Sequence, residues 1–195
     1  MKSIENIKEL RFANLAPEVW EKLNQIPRTG WVTRGVENPE TVQEHTVALR
    51  ILANEISKST DFTEEEKNEL LDMLEVHDYP EAVTGDEVIL MDGSEDKLKL
   101  KDDKKKMEEK VMIEITNGMG EEGKIIYELW NRFESSDDKV SDLARQLDKY
   151  QAVEKALEYE RKTDIPLFKE FRDYAQKYIT HRVLVDRMKG LESSL

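Results

Sequence analysis

A chain of 195 residues is long enough to bury the core of one sizeable domain. Its 30 Lys and Arg against 43 Asp and Glu give a net charge of −13, which argues against duplex nucleic acid or an anionic membrane as bulk partners. Without Cys there is no disulfide and no thiolate metal site. No apolar run approaches the roughly 20 residues of a membrane span. The start Met1-Lys2-Ser3-Ile4-Glu5 turns acidic and polar too early for a signal peptide, so the expectation is a soluble, cytoplasmic protein.

Helical periodicity dominates, and no segment reads as a convincing strand, so the fold class is all-α. Residues 4–14 and 17–25 read as a broken helix or a helix pair, with Pro17 in the first turn of the second piece. Pro27-Arg28-Thr29-Gly30-Trp31 reads as a turn, within a loop that runs on to Pro39. A helix starts at Thr41, where Thr41 and Glu44 have capping-box spacing, and it sets His45, Leu49, Leu52 and Ile56 on one face. Thr63 and Glu66 repeat that spacing before a second helix whose stripe is Leu70, Leu74 and His77.

Residues 87–96 read as irregular, with Gly93 and Ser94 as turn residues. The charged run 97–106 reads as a solvated helix face; helical period resumes at Met107 and Val111 and ends near Gly118 or Gly120. Ile126, Leu129, Trp130 and Phe133 form an apolar stripe, and residues 135–138 form a polar break with an N-cap. A long helix over about 139–162 buries Val140, Ala144, Leu147 and Gln151, with Asp148 at the edge of that face. Pro166 opens a helix bearing Leu167, Phe168, Phe171 and Tyr174, and residues 181–191 close the chain as a last helix.

The chemistry concentrates on two of the three histidines. His45 and His77 each lie on an apolar stripe, and Asp78 follows His77 directly. A carboxylate beside a core needs a partner. Two imidazoles with Asp78 and Asp148 suit a borderline divalent metal such as Mn, Co, Ni, Fe or Zn. Alone, His45 reads more readily as a hydrogen-bonded core residue than as a ligand, while His77 beside Asp78 is readable either way. Trp31 likewise reads as a core anchor or a pocket wall, and Arg28 as a surface ion pair or an anion ligand.

In ordered combination, His45, the His77-Asp78 doublet and the distant Asp148 resemble the HD-domain metal-dependent phosphohydrolases. Pro27-Arg28-Thr29-Gly30-Trp31-Val32, Arg34, Pro39-Glu40-Thr41-Val42, Glu81-Ala82, Gly85-Asp86, Glu128-Leu129-Trp130 and Gln146-Leu147-Asp148-Lys149 extend the resemblance to the 5'-deoxynucleotidase subfamily.

The resemblance implies a single compact HD-domain helical bundle over 1–195, with its core at about 7–160 and C-terminal helices at 166–191. It implies hydrolysis of deoxynucleoside 5'-monophosphates with one divalent metal ion (Co, Mn, Ni, Fe, Zn or Mg) held by His45, His77, Asp78 and Asp148. By position, Glu81 matches the acid that works on water near the metal, and Asp86 a residue that contacts the sugar and helps position the phosphate. Arg28 and Trp31 match a phosphate ligand and a selector at the sugar's 2' position, with Arg34 a rival phosphate ligand. The partners implied are a nucleotide and a second copy in a homodimer. The other readings kept open are a different phosphate ester and a non-catalytic metal-binding helical module.

Overall fold

The computed structural model describes residues 10–87 and 94–193. Among these residues the secondary structure is helical, with no strand and one isolated bridge between Pro27 and Thr41. In chain order the α-helices are α1 (Pro17–Leu23), α2 (Thr29–Val32), α3 (Val42–Ile56), α4 (Glu64–Val76), α5 (Glu81–Thr84), α6 (Glu95–Thr116), α7 (Gly120–Ser135), α8 (Lys139–Thr163), α9 (Phe168–Ala175) and α10 (Arg182–Glu192).

Helix α8 is the axis of the fold: α3, α4, α7, α9 and α10 all pack against it. Its inward residues Leu143, Ala144, Leu147, Tyr150 and Val153 meet Leu49, Ala53 and Ile56 of α3 and Leu70, Met73 and Leu74 of α4 in one core. Each such aliphatic side chain contributes about 1.5–3 kcal/mol by leaving water. A smaller cluster of Trp31, Val36, Ala156, Tyr159 and Leu167 lies farther along α8.

The local signals work as chemistry dictates. Both capping boxes form: the Thr41 and Thr63 hydroxyls accept from the Glu44 and Glu66 N–H groups, and each Glu side chain answers the cap's own N–H. Asp138 caps α8 by accepting from Val140 and Ser141. Gly123 lets α7 close on the end of α6, since a Cβ there would stand 2.5 Å from the Thr116 carbonyl oxygen.

Four expectations change. Residues 10–14 form bends and turns rather than helix, while 4–9 lie outside the described residues. The cause is Glu75 of α4, fully buried, whose carboxylate takes the backbone N–H groups of Arg11, Phe12 and Ala13 at 2.7–2.9 Å and pairs with Arg50. Those N–H groups are therefore diverted from helical bonding.

The turn at 27–31 contains one helical turn, α2, whose Thr29 N–H donates to Asp86. Within the segment read as irregular, residues 88–93 lie outside the described residues, but Glu95 and Asp96 are already helical. Ser94 caps α6 by accepting from Lys97 N–H, and the two acids suit the positive end of the helix dipole.

The fourth change concerns His77, which ends α4 instead of sitting inside it. Pro80 would clash with the carbonyl one turn back, so the chain tightens through residues 77–80 and restarts as α5. Helix α10 directs Leu184 and Met188 into the core rather than outward, so its apolar face is covered within the chain.

Candidate active site

Two helices and a tight turn converge on the same point. Helix α3 brings His45, the end of α4 brings His77 and Asp78, and α8 brings Asp148. One ligand atom from each of His45, His77 and Asp78 lies within 4.8 Å of the others. His77 Nε2 stands 3.1 Å from Asp78 Oδ2, and His45 Nε2 stands 3.2 Å from Asp148 Oδ1 and 3.9 Å from Asp78 Oδ2.

The outer ring nitrogens set the tautomers. His77 Nδ1 lies 2.9 Å from the Leu74 carbonyl, which can only accept, so Nδ1 carries the hydrogen. His45 Nδ1 lies 2.8 Å from Gln151 Oε1. The Gln151 amide is oriented by Glu40, which accepts from Gln151 Nε2 at 3.3 Å. Both imidazoles therefore aim an Nε2 lone pair inward. Both Nε2 atoms are buried without a hydrogen-bond partner, as a metal ligand would be in the bare chain.

Electrostatics favours ionised carboxylates here. Burial alone would raise Asp78, but His77, Arg28 and His45 bring its pKa down to about 2. Asp148 is likewise held far below the usual range against its burial, chiefly by His45. Glu81, one short turn beyond Asp78, goes the other way: burial first, then the Asp78 charge, pushes its pKa well up. Its Oε2 is buried without a partner.

Beside this cluster opens a cavity of about 570 Å³, lined among others by Arg28, Trp31, Arg34, Asp86 and Asp148. Arg28 Nη1 reaches Asp78 Oδ2 at 3.3 Å, and the carboxylates around it keep it charged against burial. Arg34 is committed elsewhere: its fork pairs with Glu170, it donates to the Gly30 carbonyl at 2.7 Å, and it lies over the Phe171 ring. Trp31 is 3% exposed, stacked on Phe171 at 4.3 Å and edge-on to Tyr159, with Nε1 donating to Glu40 at 3.2 Å. Asp86 holds the Arg28–Trp31 loop through the Thr29 N–H.

The family described as HD domain matches residues 20–188. The chain belongs to the HD-domain family. This HD-domain protein is 34% identical over 145 residues to 5'-deoxynucleotidase HDDC2 of Dictyostelium discoideum, spanning 72% of this chain and 73% of that one. It is 30% identical over 186 residues to 5'-deoxynucleotidase HDDC2 of Mus musculus, spanning 94% and 86%. In fold it is similar to the crystal structure of PH0347 protein from Pyrococcus horikoshii OT3, with a TM-score of 0.70 at 22% identity over 91% of this chain and 97% of that one.

All nine residues singled out in the sequence gather in this region of the HD-domain protein, Arg34 on the cavity wall beside Glu170 and Phe171. Sequence reading missed Gln151 and Glu40, which join the ligand cluster to Trp31. Gln151 lies three residues after Asp148 on the same helix, a spacing that could have flagged it. Glu40 lies in the motif Pro39-Glu40-Thr41-Val42, but nothing local shows that it reaches Gln151 and Trp31.

Proposed function

We propose that this HD-domain protein is a metal-dependent 5'-deoxynucleotidase: a deoxynucleoside 5'-monophosphate and water give a deoxynucleoside and phosphate. The observation that carries the reading is the pair of partnerless imidazole Nε2 atoms beside Asp78, at the edge of a cavity that also holds Arg28 and Trp31. The curated relatives named 5'-deoxynucleotidase support the same reaction.

His45, His77, Asp78 and Asp148 would hold one divalent ion among Co, Mn, Ni, Fe, Zn and Mg, because two imidazoles and two carboxylates suit such ions. When bound, that ion supplies Lewis acidity toward the phosphoryl group and acidifies water for attack near neutral pH. Arg28 grips phosphate oxygens with its planar fork, being beside Asp78 while Arg34 is engaged by Glu170. Glu81 holds a proton at its carboxyl and delivers it to the departing 5'-oxygen as the P–O bond breaks. Asp86 fixes the Arg28 loop and faces the sugar. Trp31, held on three sides, is a rigid wall against a ribose 2'-hydroxyl. A purely structural metal site has no use for a half-buried Arg28 and a buried Glu81 beside it.

One domain carries this site, with its core at about 7–160 and helices 166–191 completing it. The protein acts in the cytoplasm and pairs as a homodimer; exposed Leu100 and Met107, seven residues apart on one face of α6, offer apolar surface for that contact. Among the described residues no helix is long and apolar enough to cross a membrane.

The test is phosphate release from deoxynucleotides by chelator-stripped protein. Activity should vanish on stripping and return with Co or Mn. Full activity after rigorous metal removal contradicts the assignment.

A further inference from the structure

A phosphate and a sugar do not fill the cavity. Its volume of about 570 Å³ is that of a site for a whole small molecule. One wall of it is α9, whose Phe171 and Tyr174 lie three residues apart and hence on one helix face.

Helix α9 is firmly seated. Glu160 accepts the Leu167 and Phe168 N–H groups at 2.8 and 2.7 Å, and Phe168 and Ala175 are each 1% exposed in the core. Phe171 is fixed by stacking on Trp31. Tyr174 is different: it is 53% exposed at the cavity, its ring 5.2 Å from that of Tyr178, which in turn lies 5.4 Å from the Lys149 ammonium.

On α8, Asp148 and Ala152 both line the cavity one turn apart, so a ligand leaving the metal cluster moves about 6 Å along the helix to reach Ala152. The small Ala152 side chain keeps that floor open. Of the polar groups that line this side with Lys149 and Lys177, Asp173 is engaged within α9 by Lys169 and Arg172.

We propose that Tyr174 of α9, with Phe171 as its apolar edge, forms the subsite over which the nucleobase stacks. This rests on the nucleotidase reading above: phosphate lies at Arg28 and the ligand cluster, sugar against Trp31, base over Tyr174. A stacking face accepts every base because each has a π-surface. No other part of the nucleotide matches a half-exposed aromatic ring next to apolar Phe171 and Ala152.

Equilibrium binding of 2'-deoxyadenosine and of 2-deoxyribose 5-phosphate to the parent, Tyr174→Ala and Tyr174→Phe tests this. The first ligand has the base without phosphate, and the second has phosphate without the base. Tyr174→Ala should shift the ratio of the two affinities about tenfold against deoxyadenosine, and Tyr174→Phe should restore it. An unchanged ratio in Tyr174→Ala overturns the subsite, as does loss of the ratio in Tyr174→Phe. Phosphate release from deoxyadenosine 5'-monophosphate is followed in parallel. The expected ratio shift without turnover in the parent upholds the subsite and sinks the hydrolase reading. Normal turnover with an unchanged ratio sinks the subsite alone.

Discussion

Replacing Gln151 with Leu isolates the hydrogen bond that prepares His45 for a metal. The bond is 2.8 Å long and sealed from solvent, with Gln151 4% exposed and His45 fully buried. No water takes the amide's place. In the metal-free variant the imidazole escapes an unpaired Nδ1–H by moving its hydrogen to Nε2, where Asp148 lies 3.2 Å away. That tautomer has no lone pair for a metal. Binding must reverse it and leave Nδ1–H unsatisfied, at a cost of about 1–3 kcal/mol. This corresponds to roughly a ten- to a hundredfold loss of metal affinity, the usual scale for groups that orient a ligand. Gln151→Glu keeps an acceptor for Nδ1 but sets a second carboxylate against Glu40, so it should lose stability rather than affinity. Titration of Mn or Co against a chelating indicator, with thermal unfolding of the metal-free proteins, separates the two variants. Metal affinity in Gln151→Leu within twofold of the parent refutes the orienting role.

Glu81→Gln should keep its metal while phosphate release falls about a hundredfold or more. Because the Glu81 pKa is raised, the proton is present below that value and lost above it; the parent's rate should fall on the alkaline side, and that limb should vanish in the variant. Glu75→Ala strands three backbone N–H groups and breaks the buried ion pair with Arg50, costing about 3–5 kcal/mol and lowering Tm by roughly 6–20 °C; calorimetry showing a fall under about 3 °C contradicts this. Asp138→Ala should cost about 1 kcal/mol at pH 7 in urea unfolding. The folded Asp138 pKa is lowered, against burial, by Ser141, Ser136 and Arg132. Its contribution is therefore present above an unfolded pKa of about 3.9 and lost as pH falls further, so the gap should narrow at pH 3. An equal gap at both pH values argues against it.

What the sequence disclosed was what neighbours in sequence decide. Thr41 with Glu44 and Thr63 with Glu66 act within one helical turn, so their spacing locates two helix starts, and the polar break at 135–138 locates a third, capped by Asp138. The gathering of His45, His77 and Asp78 was legible because two histidines lie on apolar stripes and one carries an adjacent Asp. Long-range pairing was not legible. Residues 10–14 have helical periodicity, yet Glu75, more than 60 positions away, takes their N–H groups. The orienting chain from His45 through Gln151 to Glu40 and Trp31 joins three separate segments, and no local pattern reveals it. The end of α4 at His77 was written in Pro80, whose ring forbids continuation.

The central claim is that this site removes phosphate from deoxynucleotides and turns ribonucleotides away at Trp31. The most direct measurement is kcat/KM for 2'-deoxyadenosine 5'-monophosphate against adenosine 5'-monophosphate on protein loaded with Mn or Co. Burying an unpaired 2'-hydroxyl against the fixed indole costs about 1–3 kcal/mol, so the deoxynucleotide should be preferred by roughly ten- to a hundredfold. Equal values, a preference for the ribonucleotide, or no phosphate from either contradicts the account.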